Sequence, residues 1–166
     1  MRSPELLTYR MYGLVNYQLA KTIHAGIQFG HAVVEYGQYV KRHPTREKIY
    51  NKWADNDKTF IILDGGTTNE NQGRLGSMQK NHILLNENSV MCVPFREPDL
   101  NDTLTAIAFL VSEEVFDREK YPDFVHEGFP SSTEEEDDMR YQEWLKGIGG
   151  SSNEFLRSFL PQFKLA

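Results

Sequence analysis

Lys21-Thr22-Ile23-His24-Ala25-Gly26-Ile27-Gln28-Phe29-Gly30-His31-Ala32-Val33-Val34-Glu35-Tyr36 is the stretch from which this chain is best read. It lies in a proline-free run over residues 20–42, where Ile23, Ile27, Gly30 and Val34 recur at helical spacing. That spacing predicts a helix whose Ile23/Ile27/Val34 face packs on the core. A second stripe, His24, Gln28, His31 and Glu35, falls at i, i+4, i+7 and i+11 and is polar. Glycine inside a helix costs about 1 kcal/mol, so Gly26 and Gly30 point to a close approach by neighbouring backbone. Seven residues of helix span about 10 Å, too far for His24 and His31 to share one metal ion. The plainer reading of both histidines is local hydrogen bonding on a partly buried helix.

Working outward, residues 11–17 (MYGLVNY) are aromatic and β-branched and predict a first strand. Pro44 cannot continue a helix and ends the first one. Thr45 then caps a second helix that runs to about Trp53, with Lys48 where a capping box carries an acid. Residues 59–63 (TFIIL) predict a buried strand that empties into a turn-rich loop over residues 64–71. A helix from Gly73 or Ser77 to Leu85, a strand over 89–95, a turn at 98–102 and a strand over 104–111 complete the order β-α-α-β-α-β-β. That order predicts an α/β domain with a mixed four-stranded sheet flanked by helices. Residues 113–136 are expected to be an exposed, partly ordered excursion. A helix over 137–145, a Gly/Ser hinge at 147–152 and an apolar helix over 154–160 form a C-terminal extension. The domain division is therefore 1–112 for the α/β domain and 113–166 for the acidic excursion and helical extension. Phe155, Leu156, Phe159 and Leu160 must be covered by the body or by a second copy, which makes a homodimer through this helix an expectation.

The chain has 166 residues, 18 Lys+Arg against 24 Asp+Glu, and an apolar fraction of 39%, which suffices for a packed core and excludes wholesale disorder. The lone Cys92 excludes an intramolecular disulfide and a Cys-rich zinc site. No apolar run is long enough for a membrane span, and the N-terminal residues lack a secretory layout, so a cytoplasmic protein without membrane contact is expected. The net charge of −6 is unevenly placed: residues 113–138 alone contribute −9, and residues 1–60 hold nine Lys/Arg against five acids. A mildly basic body permits a phosphate-bearing ligand. No resident cofactor is expected.

Gly65, Gly66, Thr67, Thr68 and Asn69 follow a strand and supply N–H groups and hydroxyls of the kind that hold an anion, with Arg74, Lys80 and His82 nearby. The loop is neither a Walker loop nor a GxGxxG, and a plain connection is the competing reading. Cys92 reads as a buried small hydrophobe, and the acids at 134–138 as a solvated face without the glycine turn of a calcium loop.

The stretch Ala25-Gly26-Ile27-Gln28-Phe29-Gly30-His31-Ala32 resembles the first-helix signature of the type 2 peptidyl-tRNA hydrolases, Lys-x-Ala-Ala-Gln-x-x-His-Ala, in Gln28, His31 and Ala32. The element order over about residues 8–112 is also similar, with Trp53 near the end of the second helix and residues 104–108 resembling the last strand. His24 stands where the family carries lysine. Lys21-Thr22-Ile23 replaces its Gly-Lys-Gly turn, and Glu97-Pro98-Asp99-Leu100-Asn101-Asp102-Thr103 replaces its aspartate-bearing turn, shorter and without arginine. The resemblance implies hydrolysis of the ester of peptidyl- or acyl-tRNA, with His24, Asp99 and Asp102 as candidate catalytic groups. Lys21, Thr22, Gln28 and His31 then join Gly65, Gly66, Thr67, Thr68 and Asn69 as ligand-binding residues. The alternative keeps the cleft and drops the chemistry: a protein that binds or sequesters a small nucleotide or similar phosphorylated ligand.

Overall fold

A computed structural model describes residues 3–71 and 73–166 of the chain. Four strands, β1 (Tyr9–Asn16), β2 (Thr59–Gly66), β3 (Val93–Glu97) and β4 (Thr103–Ser112), form one mixed sheet in the order β2-β1-β4-β3. β1 runs parallel to β2 and antiparallel to β4, and β3 is antiparallel to β4. β1 and β4 are central and almost wholly buried, which explains why they read as continuous apolar runs rather than as alternating ones.

Helices cover both faces. α1 (Ile23–Val40) and α2 (Pro44–Lys52) lie on one, with Met11, Val15, Ala106 and Ala108 beneath them. The other face, built from Tyr12, Leu14, Ile107 and Phe109, meets Met78 and Leu85 of α3 (Ser77–Glu87) and Leu156 and Phe159 of α6 (Ser151–Phe159). Between them come α4 (Glu113–Phe116) and α5 (Glu134–Gly147). The expected α/β class and mixed four-stranded sheet are therefore present.

Several local expectations are corrected. α1 begins at Ile23 rather than at residue 20, because Lys21 has φ +66 and Thr22 is the N-cap, its side chain accepting from His24 N at 3.2 Å. The face of α1 on the sheet is Ala25, Gln28, Phe29, Ala32, Val33, Tyr36 and Val40. Ile23 (79% exposed), Ile27 (45%) and Val34 (60%) point to solvent instead. The reason is close packing: a Cβ on Gly13 of β1 would run into the Phe29 ring, so the helix lies low on the strand through its aromatic side. Pro44 does more than end α1, since it is the first residue of α2, the position that needs no N–H donor; Thr45 is not the cap.

β2 absorbs Asp64, Gly65 and Gly66 from the expected loop, and β3 starts only at Val93. Cys92 precedes β3 half-buried, its thiol pushed up to about 12 by burial. Residues 113–116 are not part of an exposed excursion: they form α4, with Glu113, Glu114 and Val115 buried. The acid run opens α5, three residues earlier than expected. Thr133 and Glu136 form a capping box there, and the acids of the first turn face the positive end of the helix dipole. The C-terminal residues close the outer edge of β2: Asp64 N donates to Lys164 O at 2.9 Å and Ala166 N to Ile62 O at 3.0 Å. No helix among the described residues is long and apolar enough to cross a membrane.

Candidate functional site

The site is built where two sheet ladders break at the same end of the sheet. The β3–β4 register skips Thr105, and the β1–β2 register skips Gly65. Such irregularities turn a side chain out of the pleat. Thr105 is buried on β4 and donates its hydroxyl to Gln28 Oε1 at 2.5 Å. On its other side the same carboxamide donates from Nε2 to Glu97 Oε2 at 2.7 Å. Gln28 is thus held at both ends, joining α1 to β4 and to the end of β3. One turn further on, the His31 ring stacks on Phe95 of β3 with centroids 4.7 Å apart.

A second set of polar bonds borders this one. Asn16, the last residue of β1, donates to Thr68 Oγ1 at 2.8 Å, and Thr68 donates to Leu104 O at 2.6 Å. Arg96 pairs with Glu70 at 2.5 Å and donates to Asp102 O at 3.1 Å, tying the 67–71 loop to the turn before β4. The hydrogen bond from Arg96 holds the Glu70 carboxyl below its ordinary value. Burial, helped by the Arg96 charge, holds the His82 imidazole low.

The expected residues divide into two groups. Gln28 and His31 stand together with Glu97, Thr105 and Phe95. His24, Asp99 and Asp102 are exposed, and their side chains make no hydrogen bond or ion pair among the described residues. Lys21 is exposed just before α1, and Thr22 is engaged as its cap, also donating to Leu19 O at 2.7 Å. The loop expected to cradle an anion gives its N–H donors to its own side chains and to the first turn of α3. Gly66 N donates to Asp64 Oδ1 (3.0 Å), Thr67 N to Ser77 Oγ (2.7 Å), Asn69 N to Gln79 Oε1 (3.2 Å) and Asn71 N to Asn69 Oδ1 (3.0 Å). Gly65 is a packing glycine, since a Cβ there would meet Met78 and Leu14.

Glu97, Thr105 and Asn16 escaped the sequence reading. Each had a signal: Thr105 and Asn16 are polar residues in otherwise apolar strands, and Glu97 opens the turn already singled out for its carboxylates. No group of three or more His, Cys, Asp and Glu side chains able to hold a metal occurs among the described residues. Chemically, the cluster offers a half-buried carboxylate fixed by a carboxamide, while His24 and Lys21 stand exposed at and just before the start of α1. Compared with known proteins, the chain matches no protein-family model and no curated protein sequence.

Proposed function

We propose that the chain is an esterase of the type 2 peptidyl-tRNA hydrolase kind, cleaving the ester that joins an acyl or peptidyl group to tRNA. The observation that carries this reading is the clamp on Gln28, the glutamine of the Gln-x-x-His-Ala motif, between Thr105 and Glu97. The mixed sheet with its helices on both faces is compatible with it. In this reading Glu97, rather than Asp99 or Asp102, is the carboxylate of the site. It takes a proton from water as the water oxygen bonds to the ester carbon. The bond from that carbon to the ribose 3′ oxygen then breaks, and the leaving oxygen is protonated by His24. The clamp holds Glu97 in one orientation, and Lys21 with the N-terminal end of α1 faces the phosphate of the terminal nucleotide.

A second reading, stoichiometric binding of a small nucleotide or phosphorylated ligand in the same cleft, is favoured by one fact. No hydrogen bond among the described residues orients the His24 side chain. Release of N-acyl-amino acid from acylated tRNA under single-turnover conditions decides between the two. Glu97→Gln should slow release by about 100-fold or more. Wild-type release equal to the buffer rate would end the esterase reading, and nucleotide that co-purifies and absorbs at 260 nm would then support the second.

A further inference from the structure

Two surfaces of this chain are apolar, uncovered and opposite in charge. The first is the solvent-facing pole of α1. Its buried side already fills the sheet, yet Ile23, Ile27 and Val34 line the opposite side with Gly30 among them, and a Cβ on Gly30 would meet nothing within 4 Å. A helix apolar on both sides is one that expects to be covered on both. At the C-terminal end of this pole stand Lys41 and Arg42 against Glu35, so residues 22–43 carry a net +1.

The second surface is the lobe formed by residues 124–143. Phe129 is 96% exposed, Val125 69% and Met139 67%. The same twenty residues hold seven acids and one arginine, a net −6 that equals the charge of the whole chain. Arg140 answers Glu127 at 3.3 Å and Asp137 at 3.0 Å, while Glu134, Glu135 and Asp138 make no ion pair among the described residues. The lobe is held in shape. Phe124 packs edge-on against Tyr141, Trp144 Nε1 donates to Pro122 O at 2.9 Å, and Ser132 donates to Asp137 at 2.9 Å. Its apolar side chains are therefore presented on a fixed support, which lowers the ordering cost of binding.

Neither surface covers the other within one chain. We propose that they cover each other between chains: the acidic lobe of one copy docks on the basic, apolar pole of α1 of a second copy. The match is one of charge sign and of apolar side chains on both sides, the combination that gives an interface both its steering and its desolvated centre. Because each copy carries both patches, two reciprocal contacts close a two-fold symmetric dimer. The apolar face of α6 takes no part, since Leu156 and Phe159 are spent on the chain's own sheet.

Sedimentation velocity on the full chain at about 200 µM, at low and high salt, tests this. Self-association is expected, weakening by about tenfold as salt rises from ~0.05 M to ~0.5 M. Ile27→Glu and Phe129→Ala, both at exposed positions, should each give a monomer with unchanged thermal melting. Mixing the two variants should restore association, because one supplies an intact lobe and the other an intact α1 pole. If Ile27→Glu fails to fold, Val34→Glu replaces it. A wild-type chain that stays monomeric overturns the proposal. So does association that survives either substitution, or a mixture that remains monomeric; the last outcome would mean that like surfaces pair, or that another partner fills them.

Discussion

α1 and α6 each bury one polar side chain among apolar ones, and the two are wired differently. In α6, Arg157 spends its guanidinium on structure: Nη1 donates to Glu114 O at 2.7 Å, and Nη2 to Tyr121 O at 2.7 Å and to Asp123 at 2.8 Å. Asp123 is held below its ordinary range by that bond first, and by the Arg118 charge after burial's opposing effect. In α1, Gln28 bonds side chains only, Thr105 and Glu97, and both lie at the open end of the sheet. A buried donor that satisfies main-chain carbonyls fixes a loop. A buried amide that orients a carboxylate prepares a site. The difference can be measured, since the first should be paid in stability and the second in function.

The largest stability loss should come from the aromatic that sets the height of α1. Phe29→Ala should cost about 3–5 kcal/mol in urea unfolding, as large-to-small core changes do. Ile23→Ala, on the same helix but exposed, should stay within about 0.5 kcal/mol. Equal effects would mean that the helix is rotated from the position described. Arg157→Met should cost about 3 kcal/mol, because it strands the Glu114 and Tyr121 carbonyls, while the exposed Asp123 keeps Arg118. Gln28→Leu should cost only about 1–2 kcal/mol and, on the proposed esterase reading, remove ester release almost entirely; a similar loss of stability for both would erase the contrast between them.

The smallest effect expected is a pH slope. Burial pushes the Glu114 carboxyl up and the neighbouring Glu113 adds to this, against bonds from Ser112 and Asn153. Its proton is therefore held more tightly in the folded than in the unfolded chain. Stability is greatest below the ordinary glutamate value and falls as pH rises through the folded one. Glu114→Gln should flatten that slope and raise the melting temperature at neutral pH; a slope left intact would place its source elsewhere.

The sequence made the strands legible where burial is two-sided. β1 and β4 are central, so their apolar runs could be read directly, and the α-α-β-α-β sequence between them followed. The rotation of α1 was not legible. With Ile23, Ile27 and Val34 on one side and Phe29, Val33, Tyr36 and Val40 on the other, periodicity alone cannot say which side is inside. What decided it was a tertiary fit between Gly13 and the Phe29 ring, separated by sixteen positions in the chain. The site was half legible for a similar reason. Gln28 and His31 stand out in a motif, but the carboxylate they meet is chosen by where β3 ends, and β3 ends at Glu97.

The C-terminal pairing on β2 has a consequence for how the chain is made. β1 and β2 are synthesised early, and the far flank of β2 stays open until residues 164–166 lie along it as the last hydrogen bonds of the sheet. Until residues 164–166 emerge, the nascent chain therefore carries an unguarded strand edge, the kind of edge that pairs with other nascent chains. A change that pulls residues 164–166 away from β2 would leave a well-folded body with a sticky edge, without touching its core.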